Sequence, residues 1–302
     1  MTKYPIKLIP QIRTALWGRE IWLVSGIADM PSVVENGAYA GRNLADLTAE
    51  FGPDLAGEKV AAGGRFPMLV KIIEAQDRLS LQVHPSEKTV SLCGGDPKTE
   101  MWYVLNGEPG AVIFAGLKQG VGKDRLLDAI RGGTVEDVVM KFDAVHGGVM
   151  FIPGGLVHAI GGGCRLYEVQ QTSDTTWRLH DWNRIDRKTG LPRKLHEREG
   201  IAATDLSLPV PEMLFPAPGE GLRRAVKCRQ FEFCTLDLRA PFGLPVRDDT
   251  FQVVFAERGA CSVETEGGRP VALGPGECAL LPPGTAAVLV PSPEAGMLVS
   301  IG

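Results

Sequence analysis

The chain has 302 residues, of which 44% are hydrophobic and 23% are charged. This composition is typical of a globular protein of about two domains, and it excludes a disordered, collagen-like or coiled-coil chain. The 32 basic and 36 acidic residues give a formal net charge of −4. Without a basic block, neither a nucleic acid nor an anionic membrane is expected as a partner, and a small polar substrate is favoured.

The N-terminus and the cysteines indicate the compartment. The first residues contain no apolar segment of the kind that precedes a secretory cleavage site. The six cysteines are spread along the chain without a Cys-x-x-Cys pair, which argues against a disulfide framework and a thiolate zinc site. We therefore expect a cytoplasmic protein with reduced, buried thiols. For the oligomeric state we expect a monomer or a homodimer.

The N-terminal part predicts strands and one short helix. Asn43 is expected to cap a helix over Leu44–Phe51, whose apolar residues recur at helical spacing before a Gly-Pro pair. Residues 68–73 form an apolar run that predicts a strand. Residues 79–84 alternate strictly between apolar and polar side chains, which predicts a second strand with one polar face.

The middle of the chain predicts a hairpin, a helical insertion and a return to strands. Residues 102–105 and 111–114 are joined by a Gly- and Pro-containing segment and predict the hairpin. A helical insertion at about 117–145 follows, with one helix over 123–131 and a second that begins at Thr134. A strand, a Pro-Gly turn and another strand then cover residues 148–160, and residues 165–170 continue the sheet.

The C-terminal part repeats the strand, Pro-Gly turn and strand pattern at residues 274–285. His158 follows the turn in the first copy, whereas Ala286 and Ala287 follow it in the second, and the last histidine of the chain is His196. We expect a catalytic domain over residues 1–208, a Pro-rich linker over 209–221 and a β domain without a metal site over 222–302.

Two of the five histidines lie in a pattern typical of metal ligands. Gln82 and His84 leave one strand on the same face, Glu100 precedes the next strand, and His158 follows the Pro-Gly turn. Such a mixed set of nitrogen and oxygen donors suits Zn²⁺, Mn²⁺, Fe²⁺ or Co²⁺. The spacing alone equally allows Gln82 and His84 to face solvent and His158 to be a hydrogen-bonded core residue.

Four strings carry a specific resemblance. Leu-Ser-Leu-Gln-Val-His-Pro at 79–85, Lys-Thr-Glu-Met-Trp-Tyr at 98–103, Ile-Pro-Gly-Gly-Leu-Val-His-Ala-Ile at 152–160 and the segment 170–182 resemble type I mannose-6-phosphate isomerases in their short bacterial form. The resemblance extends from about residue 17 to residue 198. It implies a mainly β, double-cupin fold with two β-barrel or jelly-roll modules and a small helical insertion. The implied activity is the interconversion of mannose 6-phosphate and fructose 6-phosphate.

The same resemblance implies the site residues. One zinc ion per chain is held by Gln82, His84, Glu100 and His158, and Mn²⁺, Fe²⁺ or Co²⁺ are expected substitutes. The remaining implied residues act in catalysis, namely Arg178, Lys98 and Glu168, or in substrate binding, namely Lys71, Ser80 and Asp174. Lys98 and Glu168 compete for the role of general base.

The sequence itself supports two of these cations. Lys71 lies inside an apolar run and Arg178 lies between Trp177 and Leu179, where burying an unpaired charge is costly. An exposed basic face remains the alternative for Arg178, and a surface lysine in a turn remains the alternative for Lys98.

Two other functions stay open at this point. An Fe²⁺-dependent cupin oxygenase uses a similar fold, and a non-catalytic cupin would bind a sugar phosphate without turnover. The chain also departs from the family pattern at residues 146–149 and at His180, where an aromatic Tyr is usual. Neither of these differences from the family pattern changes an implied metal ligand.

Overall fold

The computed structural model describes residues 1–60, 64–186, 189–217, 219 and 221–302. Within these ranges the chain forms 21 β-strands and five α-helices, so the mainly β fold is confirmed. The strands are β1 (Ile6–Ile9), β2 (Gln11–Ala15), β3 (Gly18–Val24), β4 (Val33–Val34), β5 (Met68–Ala75), β6 (Leu81–Val83), β7 (Glu100–Gly107), β8 (Val112–Leu117), β9 (Val139–Asp143), β10 (Val149–Ile152), β11 (His158–Ile160), β12 (Cys164–Gln171), β13 (Trp177–His180), β14 (Met213–Leu214), β15 (Arg223–Lys227), β16 (Glu232–Leu238), β17 (Phe242–Gly243), β18 (Gln252–Glu264), β19 (Val271–Leu273), β20 (Cys278–Leu281) and β21 (Val288–Ile301). The helices are α1 (Leu44–Phe51), α2 (Pro53–Ala56), α3 (Val90–Cys93), α4 (Lys123–Gly132) and α5 (Glu197–Ala203). No helix in the described ranges has both the length and the apolar composition needed to cross a membrane.

Local signals predicted one helix start correctly and another wrongly. The side chain of Asn43 accepts a hydrogen bond from the backbone nitrogen of Asp46 at 2.8 Å, which confirms the capped start of α1. The second helix of the insertion is wrong, because Val135–Asp137 is a single 3-10 turn. Thr134 makes no capping bond, and its φ of −107° and ψ of 31° are not the extended conformation that a capping residue adopts.

The strands form three sheets. A nine-stranded sheet has the order β15-β16-β21-β18-β20-β1-β4, with β17 beside β21 and β19 beside β18. A seven-stranded sheet has the order β14-β10-β7-β12-β5-β3-β2, and a five-stranded sheet has the order β13-β6-β11-β8-β9. The predicted strand, Pro-Gly turn and strand module is present twice, as β10 with β11 and as β20 with β21.

The predicted hairpin between residues 102–105 and 111–114 is wrong. Strand β7 pairs with β10 and β12, whereas β8 pairs with β9 and β11 in the other sheet. The first five residues of β7 are buried, which suits a central strand with a neighbour on each side. Side chains of both strands, including Trp102 and Ile113, meet in one hydrophobic cluster between the two sheets. The connecting segment therefore passes from one sheet to the other instead of closing a hairpin.

The chain divides into two compact units. One contains Met1–Ile12, Ile21–Lys71 and Phe215–Gly302, and the other contains Arg13–Glu20 and Ile72–Leu214, so boundaries fall inside β2, β3 and β5. This division differs from the predicted domains of 1–208 and 222–302. The reason is strand pairing, since β1 pairs with β20 and thereby joins the C-terminal strands.

The Pro-rich segment 209–221 is also more than a linker, because β14 within it pairs with β10. Residues 218 and 220 of that segment lie outside the described residues. Each unit has its own hydrophobic core, and in the second unit a further cluster lies where α4 and α5 pack near β6 and β13. All six cysteines are free, and five of them are buried, as predicted.

Candidate metal centre

Three adjacent strands of the five-stranded sheet, β13, β6 and β11, present the first site residues. In the pairing of β11 with β6, His158 lies directly opposite Gln82. In the pairing of β13 with β6, Arg178 is the opposite neighbour of Gln82. Residues that face each other across antiparallel strands project from the same face of the sheet. The pairing of these strands therefore places Gln82, His158 and Arg178 together although they are far apart in sequence.

Three buried side chains converge on one point. A ligand atom from each of His84, Glu100 and His158 lies within 4.8 Å of the others, and each residue is only 1% exposed. His84 Nε2 lies 3.4 Å from Glu100 Oε2, and His158 Nε2 lies 3.4 Å from Glu100 Oε1. The side-chain amide of Gln82 lies 3.3 Å from His158 Nε2. The structure thus brings together the four residues for which metal binding was expected.

The spacing of these donors fits a metal ion. Ligand atoms at about 2.0–2.2 Å from a tetrahedral metal lie about 3.3–3.6 Å from one another, because the edge of a tetrahedron is about 1.6 times its central distance. Each histidine Nε2 lies 3.4 Å from one oxygen of Glu100, which is close to that edge, although the two contacts use different carboxylate oxygens. The 3.3 Å separation at Gln82 is to its amide nitrogen, which is not a metal donor. Turning the Gln82 amide would present its oxygen, which now accepts a hydrogen bond from Ser80 Oγ at 3.3 Å. The donor set therefore suits a divalent cation of the first transition series or zinc.

Backbone carbonyls orient both imidazoles. Nδ1 of His84 lies 2.8 Å from the carbonyl oxygen of Thr175, and Nδ1 of His158 lies 2.8 Å from that of Leu156. A carbonyl only accepts, so each Nδ1 carries the proton and donates it. Each Nε2 then has a lone pair directed at the cluster, where His84 faces Lys98 Nζ at 3.1 Å and His158 faces the Gln82 amide nitrogen at 3.3 Å. This is the tautomer that binding a metal through Nε2 requires.

The electrostatics of the cluster favour neutral imidazoles beside a charged carboxylate. Burial lowers the pKa of His84 to about 3, and the nearby Lys98 ammonium adds to this shift. Burial also lowers the pKa of His158. For Glu100 burial alone would raise the pKa, but Lys98 and the two histidines hold it well below its usual range. All three groups therefore stay in the protonation state that binds a cation.

The two candidates for the general base have different surroundings. Lys98 is 5% exposed, and its Nζ lies 2.8 Å from Glu100 Oε2 and 3.1 Å from His84 Nε2. Glu168 is 2% exposed and accepts a hydrogen bond at 2.7 Å from the indole nitrogen of Trp102. The Trp102 ring in turn packs edge-on against His158 at 5.4 Å. Lys98 is thus in direct contact with the cluster, and Glu168 is linked to it through Trp102.

Arg178 combines a structural contact with an unused donor. Its Nη1 donates to the carbonyl oxygen of Lys194 at 2.9 Å. Its Nε is buried and has no hydrogen-bond partner among the described residues. Burial lowers the pKa of the guanidinium, and the charge of Arg193 adds to the effect. Arg178 is therefore partly fixed by the scaffold and retains a donor for a ligand.

The three predicted substrate-binding residues lie in different surroundings. Ser80 is buried and donates to Gln82, which places it beside the cluster. Lys71 is 6% exposed within the buried strand β5. Asp174 is exposed and forms an ion pair with Arg13 at 3.1 Å. The structure therefore does not bring the carboxylate of Asp174 to the cluster.

Comparisons with known proteins bear on the family. The sequence model described as "Phosphomannose isomerase type I, catalytic domain" matches residues 2–112, and the model described as "Cupin" matches residues 221–300. Mannose-6-phosphate isomerase ManA of Bacillus subtilis is 33% identical over 224 residues, which cover 68% of this chain and 70% of ManA. The chain belongs to the type I phosphomannose isomerase family.

Other relatives agree with this family assignment. The mannose-6-phosphate isomerase of Streptococcus mutans is 36% identical over 191 residues, which cover 63% of this chain and 59% of that protein. The crystal structure of the mannose 6-phosphate isomerase from Bacillus subtilis has a TM-score of 0.86 at 24% identity and covers 99% of both chains. The apo form of the enzyme from Salmonella typhimurium has a TM-score of 0.73 at 15% identity, covering 100% of this chain and 99% of that one. The solved structures thus show that the fold extends over the whole chain.

Family membership confirms the resemblance seen in the sequence and favours an isomerase over a cupin oxygenase. It also implies a metal cofactor, which agrees with the His84, Glu100 and His158 cluster. Two residues of the site were missed by the sequence analysis. Trp102 follows Glu100 by two positions on the same strand face, so alternation was a usable signal. Thr175 acts through its backbone carbonyl, for which side-chain chemistry gives no signal.

Proposed function

We propose that this chain interconverts mannose 6-phosphate and fructose 6-phosphate and holds one zinc ion through Gln82, His84, Glu100 and His158. The observation that carries the proposal is the buried cluster of His84, Glu100 and His158, whose ligand atoms lie within 4.8 Å of one another, in a chain of this family. Mn²⁺, Fe²⁺ and Co²⁺ suit the same donors and are expected substitutes. The cytoplasmic location of the protein and its monomeric or homodimeric state remain predictions from the sequence.

The reaction moves one proton from C2 to C1 and a second from the C2 hydroxyl to the C1 oxygen, so that the carbonyl group shifts from C1 to C2. A base removes the proton from C2 of the aldose, O1 gains a proton to give the enediol or enediolate, and O2 loses its proton as C1 receives one to give the ketose. The site must therefore supply a base, cations or donors for the developing oxygen charge, and an anchor for the phosphate. A bound metal ion would supply Lewis acidity toward the substrate oxygens.

We assign the proton transfer to Glu168. The Lys98 ammonium already donates to Glu100 and lies 2.8 Å from it, so it is suited to stabilise charge on a substrate oxygen rather than to accept a proton. Glu168 is a buried carboxylate whose Oε2 is held by Trp102. A fixed carboxylate is able to accept the C2 proton and return it to C1 without losing its position.

The remaining polar groups are proposed to bind the phosphate and to stabilise the enediolate charge. Arg178 leaves the sheet on the same face as Gln82 and stays protonated at neutral pH, so it offers a planar pair of donors to an oxyanion. Ser80 offers a hydroxyl beside Gln82. Lys71 is the third proposed anchor, on the basis of the resemblance and its burial. Asp174 stays a predicted substrate-binding residue, although its ion pair with Arg13 favours a structural role.

The test is a coupled assay for fructose 6-phosphate with mannose 6-phosphate as substrate. The untreated protein should turn over, the chelated protein should not, and added Zn²⁺ should restore activity. The same samples are followed with an oxygen electrode, since oxygen consumption without isomerisation would identify an oxygenase. Tight binding of mannose 6-phosphate without any turnover would instead contradict the enzyme assignment and favour a sugar-phosphate-binding protein.

A further inference from the structure

A buried glutamine anchors the turn that follows β12. Gln170 is 1% exposed and lies opposite Glu100 in the pairing of β12 with β7. Its Nε2 donates to two backbone carbonyls of that turn, those of Gln171 and Ser173, each at 2.8 Å. Both amide hydrogens of one buried side chain are thus used within the same few residues. Such paired bonds fix the path of the backbone, because breaking either leaves buried polar groups unsatisfied.

The same turn reaches His84. The Ser173 hydroxyl accepts a hydrogen bond from the Thr175 backbone nitrogen at 3.2 Å and donates to the carbonyl of Asp96 at 3.1 Å. The Thr175 hydroxyl accepts from the Asp96 backbone nitrogen at 3.0 Å. The Thr175 carbonyl then accepts the Nδ1 proton of His84 at 2.8 Å. Hydrogen bonds through Ser173 and Thr175 therefore connect the Gln170 amide to a ring nitrogen of His84, a candidate ligand.

Packing holds Thr175 against this network from the other side. Gly95 has a φ of +82°, and a Cβ built on it would lie 2.4 Å from Cγ2 of Thr175. The glycine therefore allows both the left-handed backbone conformation and the close approach of Thr175. The position of the Thr175 carbonyl is set by contacts on both sides and does not depend on His84 alone.

We propose that Gln170 is a positioning residue for the metal centre. By holding Ser173 and hence the Thr175 carbonyl, it keeps the proton of His84 on Nδ1 and directs the Nε2 lone pair at the cluster. The inference rests on the proposed role of His84 as a metal ligand. Partners that orient a ligating imidazole are typically worth about 10–100-fold in metal affinity.

The test compares two buried glutamines. Gln170→Met keeps the length and apolar stem of the side chain but removes both donors. Gln252 is the matched control, because it is 2% exposed and its Nε2 also donates to a backbone carbonyl, that of Pro245 at 3.1 Å, within the first compact unit. Gln252→Met should cost a similar amount of stability without touching the network around His84.

Two readouts are independent of turnover. Competition with a chromophoric chelator gives the dissociation constant for Zn²⁺, and NMR of ¹⁵N-histidine-labelled, Zn²⁺-loaded protein reports the Nδ1 proton of His84, assigned by its loss in His84→Ala. We expect Gln170→Met to weaken zinc binding by about tenfold or more and to lose or broaden the Nδ1 proton signal through exchange with water. Gln252→Met should match the wild type in both measurements.

Three outcomes would overturn the inference. The first is wild-type zinc affinity with a retained His84 Nδ1 proton signal in Gln170→Met, and the second is an equal loss of zinc affinity in both glutamine variants. If Gln170→Met does not fold, the third is wild-type zinc affinity and a retained signal in Ser173→Ala. That second variant removes the hydroxyl and with it the bonds to the Thr175 nitrogen and the Asp96 carbonyl. A weakened affinity with an exchanging Nδ1 proton there supports the inference. Failure of the proposed function is distinguishable, because His84→Ala would then bind zinc as the wild type does.

Discussion

Replacing Arg178 separates charge stabilisation from support of the fold. The guanidinium donates to the Lys194 carbonyl through Nη1 and leaves a buried Nε without a partner among the described residues. In Arg178→Lys the positive charge remains, but a single ammonium replaces the planar fork. In Arg178→Ala both the charge and the bond to Lys194 are lost. The two variants therefore remove the proposed contact to the substrate oxyanion to different extents.

The expected magnitudes come from the two contacts. A lost donor to a developing oxyanion costs about 10²–10³ in kcat, or about 3–4 kcal/mol of transition-state stabilisation. The bond to the Lys194 carbonyl lies partly in solvent, so its loss should cost only about 1 kcal/mol of folding free energy. Arg178→Ala should thus lower turnover by about a hundredfold or more while it lowers the melting temperature by only a few degrees. Arg178→Lys should fold normally and also turn over poorly.

The assay is steady-state isomerisation of mannose 6-phosphate, with metal analysis and a thermal melt for each variant. Arg193→Lys is the matched control, because Arg193 lies in the same basic segment and binds Asp181 through two nitrogens. It should keep its turnover. Near-wild-type turnover in folded, metal-loaded Arg178→Ala would refute the catalytic role. Loss of metal or of folding in that variant would show that Arg178 supports the scaffold.

Three further predictions follow from the cluster and the sheets. His84→Ala should lose bound metal and activity together in elemental analysis and the coupled assay, whereas His146→Ala, outside the cluster, should retain both. Deleting residues 222–302 should cause aggregation, measured by light scattering, because β1 loses its partner β20; a soluble and fully active truncation would contradict this. Burial keeps the pKa of His84 in the fold at about 3, so below about pH 6.5 the unfolded chain binds more protons than the folded chain. The free energy of unfolding of chelated protein, measured in urea titrations, should therefore fall as the pH is lowered from about 7 to about 5. An unchanged or higher value at the lower pH would show that this histidine is not buried in the neutral form.

Local sequence signals determined the parts of this protein that depend on neighbouring residues. The alternation over residues 79–84 predicted a strand with Gln82 and His84 on one face, and the structure has the shorter strand Leu81–Val83, which His84 directly follows. The strand with its Pro-Gly turn placed His158 at the start of β11. Asn43 capped α1 as predicted. These features follow from the two-residue period of a strand and from hydrogen bonds within a few residues, so each can be deduced from a short window.

Sheet membership needed the tertiary structure. Residues 102–105 and 111–114 were close enough in sequence for a hairpin, but β7 pairs with β10 and β12 instead of with β8. The pairing of β1 with β20 joined the first strand to the C-terminal unit. Pairing between strands so distant in sequence has no local signature, because any apolar strand offers the same row of backbone donors and acceptors.

The surroundings of the site were also decided by the tertiary structure. Asp174 and Thr175 are adjacent in one recognisable string, yet the carboxylate of Asp174 turns outward to Arg13 while the carbonyl of Thr175 meets His84. The sequence indicated which side chains are suited to bind a cation, because carboxylates and imidazoles are common metal ligands. It did not determine which backbone carbonyl orients them, since every residue has a carbonyl and only the folded path of the turn selects one.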